Sequence, residues 1–145
     1  MTSPTRQVEV TLETLLESVD LGENITVRVA EAAGFGEEDR YRIGIAVREG
    51  LINAIVYGNG EKRGKKVHLT LELAPEKFVI HILDEGMGFD INAVPDPTAE
   101  ENLLKNSGRG ILLMRSFMDE FAVVRGRTGG AEVVMSKRMP EQVRA

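Results

Sequence analysis

The segment KKVHLTLELAPEKFVIHILDEG, residues 65–86, restricts the possible fold of this chain more than any other. Its first half alternates apolar and polar residues, which is typical of a strand with one buried and one wet face. If Leu73 pairs with Phe78 across the turn APEK, Thr70 lies opposite His81. The segment therefore predicts an antiparallel hairpin. Its two histidines are then not direct partners, and we interpret them as solvent-face residues rather than as ligands of a metal.

The other periodic segments predict the elements around this hairpin. QVEVTLE alternates as a half-buried opening strand. Helical spacing from Asn24 predicts a first helix that the GFG motif ends. EEDRYRIGIAVREGLINAIVYGNG predicts the longest helix, with acids at its start and glycines at its end. GILLMRSFMDE predicts another helix, FAVVRGRTGGAEVVMSK a glycine-turned hairpin, and RMPEQVRA a frayed tail. Between the hairpins, GMGFDINAVPDPTAEENLLKNSGRG has no sustained period and predicts a long, mobile loop.

Together these elements predict an α/β fold of two layers, in which a mixed, mostly antiparallel sheet carries helices on one face. The uncovered face, with Thr70, Glu72 and His81, is polar enough to stay wet. At 145 residues and 42% hydrophobic content, we expect a single domain over residues 1–145.

Charge and composition argue against several classes of partner. The net charge of −5, without a basic block, argues against nucleic acid. The lack of cysteine excludes disulfides and thiolate metal sites and fits a reducing cytoplasm. The first residues form no apolar signal core, and no apolar run approaches the roughly 20 residues of a membrane helix. We expect a soluble, cytoplasmic protein with no membrane partner.

The first motif with chemical content is a carboxylate and a carboxamide on the long helix. Glu49 and Asn53 are four residues apart, so their side chains project from the same stripe. A carboxamide oxygen suits Mg²⁺ that takes its remaining ligands from water and phosphates, and a free carboxylate can deprotonate a nucleophile. Alternatively, the pair is a surface Glu and a capping Asn on a solvated face.

The second motif, LDEGMGFD, ends the hairpin. The strand delivers Asp84 at its end, and Gly86 and Gly88 follow at alternate positions. Glycines let backbone approach a ligand closely, and a fixed carboxylate accepts a hydrogen bond from an exocyclic amine such as that of adenine. Alternatively, the motif is an ordinary turn between a strand and a loop.

The third motif, SGRGILLM, opens the next helix. Gly108, Arg109 and Gly110 lead directly into it, so free backbone N–H groups, the helix dipole and an arginine favour an anion there. Alternatively, the glycines form a hinge. No Walker A motif occurs in the chain.

In this order the three motifs resemble the GHKL, or Bergerat-fold, ATPase superfamily. Its N, G1 and G2 boxes match EGLINA, DEGMGFD and GRGILLM, and the resemblance covers residues 6–138. The short length and the phrase LLMRSFMDEFAV look most like RsbW-type serine-protein kinases that double as anti-sigma factors.

The resemblance implies roles for the residues of the first two motifs. Asn53 would ligate Mg²⁺ bridging the ATP phosphates, and Glu49 would act as base toward a protein hydroxyl. Asp84 would read the adenine amine, with Gly86 and Gly88 lining the purine.

The resemblance also implies a lid and a set of partners. Residues 92–107 would close over ATP, and Gly108, Arg109 and Gly110 would bind phosphate, with Lys105 or Arg109 supplying charge. The implied cofactors are ATP and Mg²⁺. The implied partners are a STAS-domain anti-sigma factor antagonist, which is phosphorylated, a sigma factor, and a second copy in a homodimer.

The sequence departs from the family pattern at two places. Tyr57 stands where family N boxes often have histidine, and Ala131 and Glu132 occupy the region of a frequent threonine. The leading hypothesis is an ATP-dependent protein serine/threonine kinase and anti-sigma factor in a partner-switching module. The alternatives are a nucleotide-gated binding or anti-sigma module without kinase activity, and a small ATPase that acts on water.

Overall fold

A single antiparallel sheet organises the described part of the chain, residues 5–86 and 110–141 of a computed structural model. In chain order the elements are β1 (Arg6–Glu13), α1 (Glu17–Ala32), α2 (Glu37–Ile52), a π-helical turn (Asn53–Gly58), β2 (Lys66–Leu73), β3 (Lys77–Leu83), α3 (Gly110–Phe117), β4 (Glu120–Arg125) and β5 (Ala131–Arg138). The strand order is β1-β2-β3-β5-β4. The α/β sandwich is confirmed. Every strand pairing in it is antiparallel, so the described sheet is not mixed.

The central hairpin has the predicted register. Leu73 pairs with Phe78, and Thr70 with His81. Leu69 and Leu71 are fully buried beneath the helices, whereas Thr70 between them is partly exposed. The alternation therefore reports the two faces of the sheet correctly.

The long helix lies close to the sheet because a glycine faces β3. A Cβ on Gly50 would lie 2.6 Å from Ile82 Cδ1, so a larger residue would require the end of that side chain to move. The preceding residue, Glu49, is only partly exposed. The glycine thus lets the carboxylate-bearing part of α2 pack closely on the sheet.

The first helix starts earlier than predicted, at Glu17 rather than Asn24. Its fully buried positions include Gly22, Thr26 and Ala30, which carry little apolar signal. The helices pack closely there, since a Cβ on Gly22 would lie 2.5 Å from Leu51 Cδ1 of α2. The start of α1 was therefore missed, because hydrophobic periodicity does not detect small residues that are buried between helices.

The long helix widens before it ends. Asn53–Gly58 form a π-helical turn that the sequence did not predict, closed by the bond from Asn59 N–H to the carbonyl of Ala54 at 2.8 Å. The predicted glycine stop is confirmed, since Gly60, two residues after this turn, has φ +60°.

The predicted frayed tail is wrong at its start. Met139 is 4% exposed, and its N–H bonds the carbonyl of Glu76 at 3.0 Å. The apolar side chain joins the core, so the chain stays ordered past β5. No helix in the described ranges is long and apolar enough to cross a membrane.

The face of the sheet opposite the helices carries a shallow groove of about 270 Å³. His81 lies in it between two carboxylates, 2.8 Å from Glu132 and 3.1 Å from Glu72. His68 contacts Glu85 at 2.7 Å. Both histidines therefore lie on the uncovered face, as predicted, where they are partly buried and contact carboxylates.

Candidate functional site

A buried carboxylate marks the end of β3. Asp84 is 4% exposed, and its Oδ1 accepts hydrogen bonds from the N–H groups of Gly86 (2.9 Å) and Ala131 (3.1 Å). Its own N–H donates to the carbonyl of Ala131 at 3.1 Å. Within the described residues, both donors use Oδ1, and Oδ2 lies on the side of Gly58. The carboxylate is therefore held in one orientation.

Burial raises the pKa of Asp84. The two backbone N–H bonds from Gly86 and Ala131 and the positive charge of Lys65 oppose that shift without cancelling it. Keeping Asp84 ionised in the folded protein thus costs folding free energy. Such a cost is typical of a residue that serves binding rather than stability.

Three glycines crowd this carboxylate. A Cβ on Gly58 would lie 2.0 Å from Asp84 Oδ2, and one on Gly130 would lie 2.3 Å from Oδ1. A Cβ on Gly86 would lie 2.0 Å from the carbonyl oxygen of Gly58. The end of the long helix, the turn after β3 and the β4–β5 turn thus meet at Asp84 with no room for side chains.

Gly86→Ala is expected to lower the free energy of unfolding by about 1–3 kcal/mol, since the neighbour that must move is backbone rather than a flexible side chain. Urea unfolding measures the change. Gly64→Ala is the matched control, because a Cβ there meets nothing within 4 Å, and we expect it to change stability by less than about 0.5 kcal/mol. Equal losses in the two variants would contradict the crowding.

A threonine that the sequence reading missed supports the same carboxylate-bearing residue. Thr128 Oγ1 donates to the carbonyl of Asp84 at 2.7 Å and accepts from Gly130 N–H at 3.1 Å. Thr128 precedes the late glycines, whereas the family's frequent threonine follows them, where this chain has Ala131. A hydroxyl is thus present beside Asp84, and its position inside the turn RTGG was the available signal.

The second half of the site lies at the end of α2. Asn53 opens the π-helical turn and is partly exposed, and its N–H donates to the carbonyls of Glu49 and Gly50. The Glu49 carboxylate lies against the start of α3, where a Cβ on Gly110 would stand 3.0 Å from Oε2. The structure therefore brings the first and third motifs together at the N-terminus of a helix, where anions are favoured.

Several predicted site residues are not described by the structure. Gly88, Lys105, Gly108, Arg109 and the lid region 92–107 lie outside the described residues. The departure at Tyr57 is described. Its ring is 55% exposed and lies in the same π-helical turn as Asn53.

The donors present suit a cation that shares its ligands with phosphates better than one caged by protein. The described ranges contain no group of three or more His, Cys, Asp or Glu side chains that could hold a metal ion. Mg²⁺ commonly takes one or two protein oxygens and completes its octahedron with water and substrate phosphates. A partly exposed carboxamide such as that of Asn53 fits this mode.

Comparisons with known proteins place the chain in a known family. The family model described as "Histidine kinase-like ATPase domain" matches residues 12–137. The anti-sigma F factor of Clostridium novyi is 29% identical over 120 residues, covering 77% of this chain and 83% of that protein. The anti-sigma F factor of Clostridium acetobutylicum is 32% identical over 97 residues, covering 65% and 66%.

A solved structure extends the likeness to the fold. The RsbU and RsbW domains of a Mycobacterium tuberculosis protein superpose with a TM-score of 0.65 at 16% identity. The match covers 94% of this chain and 33% of that one, so the chain spans a third of the length of the solved protein. At this identity the likeness concerns the fold alone.

Proposed function

We propose, from the premise that this chain belongs to the family of histidine kinase-like ATPase domains, that it is an ATP-dependent protein serine/threonine kinase and anti-sigma factor. The observation that carries the kinase assignment is the position of Glu49. Its carboxylate lies at the start of α3, against Gly110, and on the same stripe as Asn53. This position supports a site in which Glu49 would act as base and Asn53 as oxygen ligand beside a helix N-terminus, as phosphoryl transfer requires.

The adenine end of the proposed nucleotide site is Asp84. With Oδ1 occupied by two backbone N–H groups, Oδ2 is the acceptor for the exocyclic amine. Gly86 and Gly88 would line the purine. A side chain at Gly58 or Gly130 would clash with Asp84, so the glycines keep this carboxylate in place, which supports its role as the adenine acceptor.

The phosphate end is the junction of α2 and α3. Asn53 would ligate Mg²⁺, which when bound neutralises phosphate charge, and the segment Gly108–Gly110 would donate backbone N–H groups. Arg109 or Lys105 would add positive charge, and residues 92–107 would form the lid that excludes water.

In the proposed reaction, Glu49 takes up the proton of the substrate hydroxyl. The substrate hydroxyl oxygen bonds the γ-phosphorus, the bond from that phosphorus to the bridging oxygen of ADP breaks, and the hydroxyl proton passes to the Glu49 carboxylate. ADP and a phosphoprotein leave. Because such transfer depends mostly on positioning and charge neutralisation, the close packing of α2 on the sheet would help to position Glu49.

The proposed partners follow from the relatives. Two of them are named anti-sigma F factors, and we assign this chain a sigma factor as binding partner and a STAS-domain antagonist as phosphorylated substrate. The active form would be a homodimer of one-domain chains.

The test is phosphoryl transfer from labelled Mg-ATP to a cognate STAS protein, with a Ser/Thr-to-Ala version of that protein as control. We expect label on the unaltered STAS protein alone, and ATP-dependent capture of the sigma factor in parallel. Tight ATP binding without labelled product would contradict the kinase. ADP release in the absence of any protein substrate would identify an ATPase acting on water.

One observation favours the alternative of a nucleotide-gated anti-sigma module without transfer. A Cβ on Gly110 would lie 3.0 Å from Glu49 Oε2, so the carboxylate is close enough to the start of α3 to act on that helix. In that reading Glu49 fixes the helix start, and ATP changes partner affinity without being consumed.

A further inference from the structure

A buried asparagine outside the three motifs joins the two halves of the site. Asn59 is 1% exposed and follows the π-helical turn directly. Its Oδ1 accepts the N–H of Glu85 at 2.7 Å. Its Nδ2 donates to Thr14 Oγ1 at 2.9 Å and to the carbonyl of Lys66 at 3.0 Å. Both donors and the acceptor of the amide are therefore in use.

The bonds of Asn59 connect the turn after β3 to the π-helical turn. Glu85 lies between Asp84 and Gly86, so the bond from its N–H fixes the turn that carries the buried carboxylate. The backbone N–H of Asn59 donates to the carbonyl of Ala54 at 2.8 Å and closes the turn that Asn53 opens. One residue thus sets where both ends of the site stand relative to each other.

The far side of the network anchors Asn59 to the sheet. Thr14 Oγ1 donates onward to the carbonyl of Lys65 at 2.6 Å. The Glu85 carboxylate accepts from Lys66 N–H at 2.9 Å and contacts His68 Nε2 at 2.7 Å. The bonds of Thr14 do not reach the turn 84–86, so they supply a comparison for the bond from Glu85 N–H to Asn59, whereas the Glu85 carboxylate belongs to that turn.

We propose that Asn59 is a positioning residue that holds the turn 84–86 against the end of the long helix, and so sets selectivity for adenine. This rests on the proposed nucleotide binding. Without the Asn59 acceptor, the partly buried N–H of Glu85 loses its partner and the turn shifts to find another. Asp84 Oδ2 then no longer meets the exocyclic amine.

The test compares ATP with ITP, whose base carries an oxygen in place of that amine. By titration calorimetry, Asn59→Ala is expected to weaken ATP binding about tenfold and to bring the ATP-to-ITP affinity ratio close to one. Thr14→Val, which removes the other end of the network, is expected to lower the urea midpoint while keeping the ratio. Asn59→Asp keeps an acceptor for Glu85 and loses both donors, so it should also keep the ratio at reduced stability.

The outcomes separate this proposal from the function on which it rests. A wild-type chain that binds ATP and ITP equally overturns adenine reading by Asp84, and with it the Asn59 role. A wild-type preference that survives in Asn59→Ala, or disappears equally in Thr14→Val, overturns the Asn59 role alone. Should Asn59→Ala not fold, Asn59→Gln displaces the amide by one methylene and carries the same expectation for the ratio.

Discussion

Asp84→Asn is expected to weaken ATP binding at least about a hundredfold while leaving the fold as stable as the wild type, or more stable. The amide oxygen can still accept from Gly86 and Ala131. The amide nitrogen then replaces Oδ2 and meets the adenine amine donor to donor. Since burial raises the pKa of Asp84, removing its charge relieves a folding cost at neutral pH. Calorimetry with ATP and urea unfolding measure the two effects.

The neighbouring carboxylate, Glu85, has a pKa shift of the opposite sign and serves as the control. The hydrogen bond to His68, followed by that from Lys66 N–H, lowers the pKa of Glu85. Ionised Glu85 thus stabilises the fold above its ordinary pKa, and that contribution is lost as pH falls through the lowered value. Glu85→Gln should therefore lower the urea midpoint at neutral pH. A lower midpoint in Asp84→Asn as well would show that burial does not dominate at Asp84.

The same shift makes ATP affinity depend on pH. A raised pKa means that folded Asp84 holds its proton at a pH where the unfolded residue is ionised. Because Oδ1 already accepts two backbone N–H groups, Oδ2 must stay unprotonated to accept from the adenine amine, so affinity is complete above the raised pKa and falls as pH drops through it. Wild-type affinity should decline at a pH above the ordinary range of Asp, and the residual affinity of Asp84→Asn should not follow that profile.

Glu49→Gln is expected to reduce phosphoryl transfer to the STAS protein by about 10²–10⁴-fold, the usual contribution of a general base. ATP affinity should change less than about threefold, because the amide keeps the size of the side chain against Gly110. Single-turnover transfer and nucleotide titration measure the two quantities separately.

Glu38→Gln is the matched control on the same helix, since Glu38 is exposed in the first turn of α2 and pairs with Arg42 at 2.7 Å. It should leave both quantities unchanged. If Glu49→Gln transferred phosphate as fast as wild type, Glu49 would not be the base, and its contact with α3 would be its whole role.

Periodicity predicted those parts of the fold in which one buried face is made of large apolar residues. The β2–β3 register follows from the alternation around Leu69 and Leu71 and is correct. The start of α1 could not be found this way, because Gly22 and Thr26 face the core and are not recognised as apolar. The π-helical turn was not predictable either, since a widened turn leaves no mark in a 3.6-residue period.

The candidate site was predictable only as far as its residues stand in motifs. Asp84 and Gly86 are two residues apart in sequence, and the structure joins them by a hydrogen bond from Gly86 N–H to Asp84 Oδ1. Thr128 and Asn59 reach the same turn from sequence separations of 44 and 26 residues, and no local pattern reports such contacts. Contacts between residues so far apart in sequence depend on the order of the strands in the sheet, which no local motif reports.

The place of β5 in the sheet bears on how such a chain acquires activity during synthesis. β5 follows the other four strands in sequence, yet it lies between β3 and β4. It also delivers the N–H of Ala131 that fixes Asp84. While a ribosome still holds residue 131, β4 lacks its only partner among the described strands, and Asp84 lacks one of its donors. A nascent chain should therefore be unable to complete the hydrogen bonds that hold Asp84 until this strand has emerged, so that the proposed nucleotide site forms late and in one step.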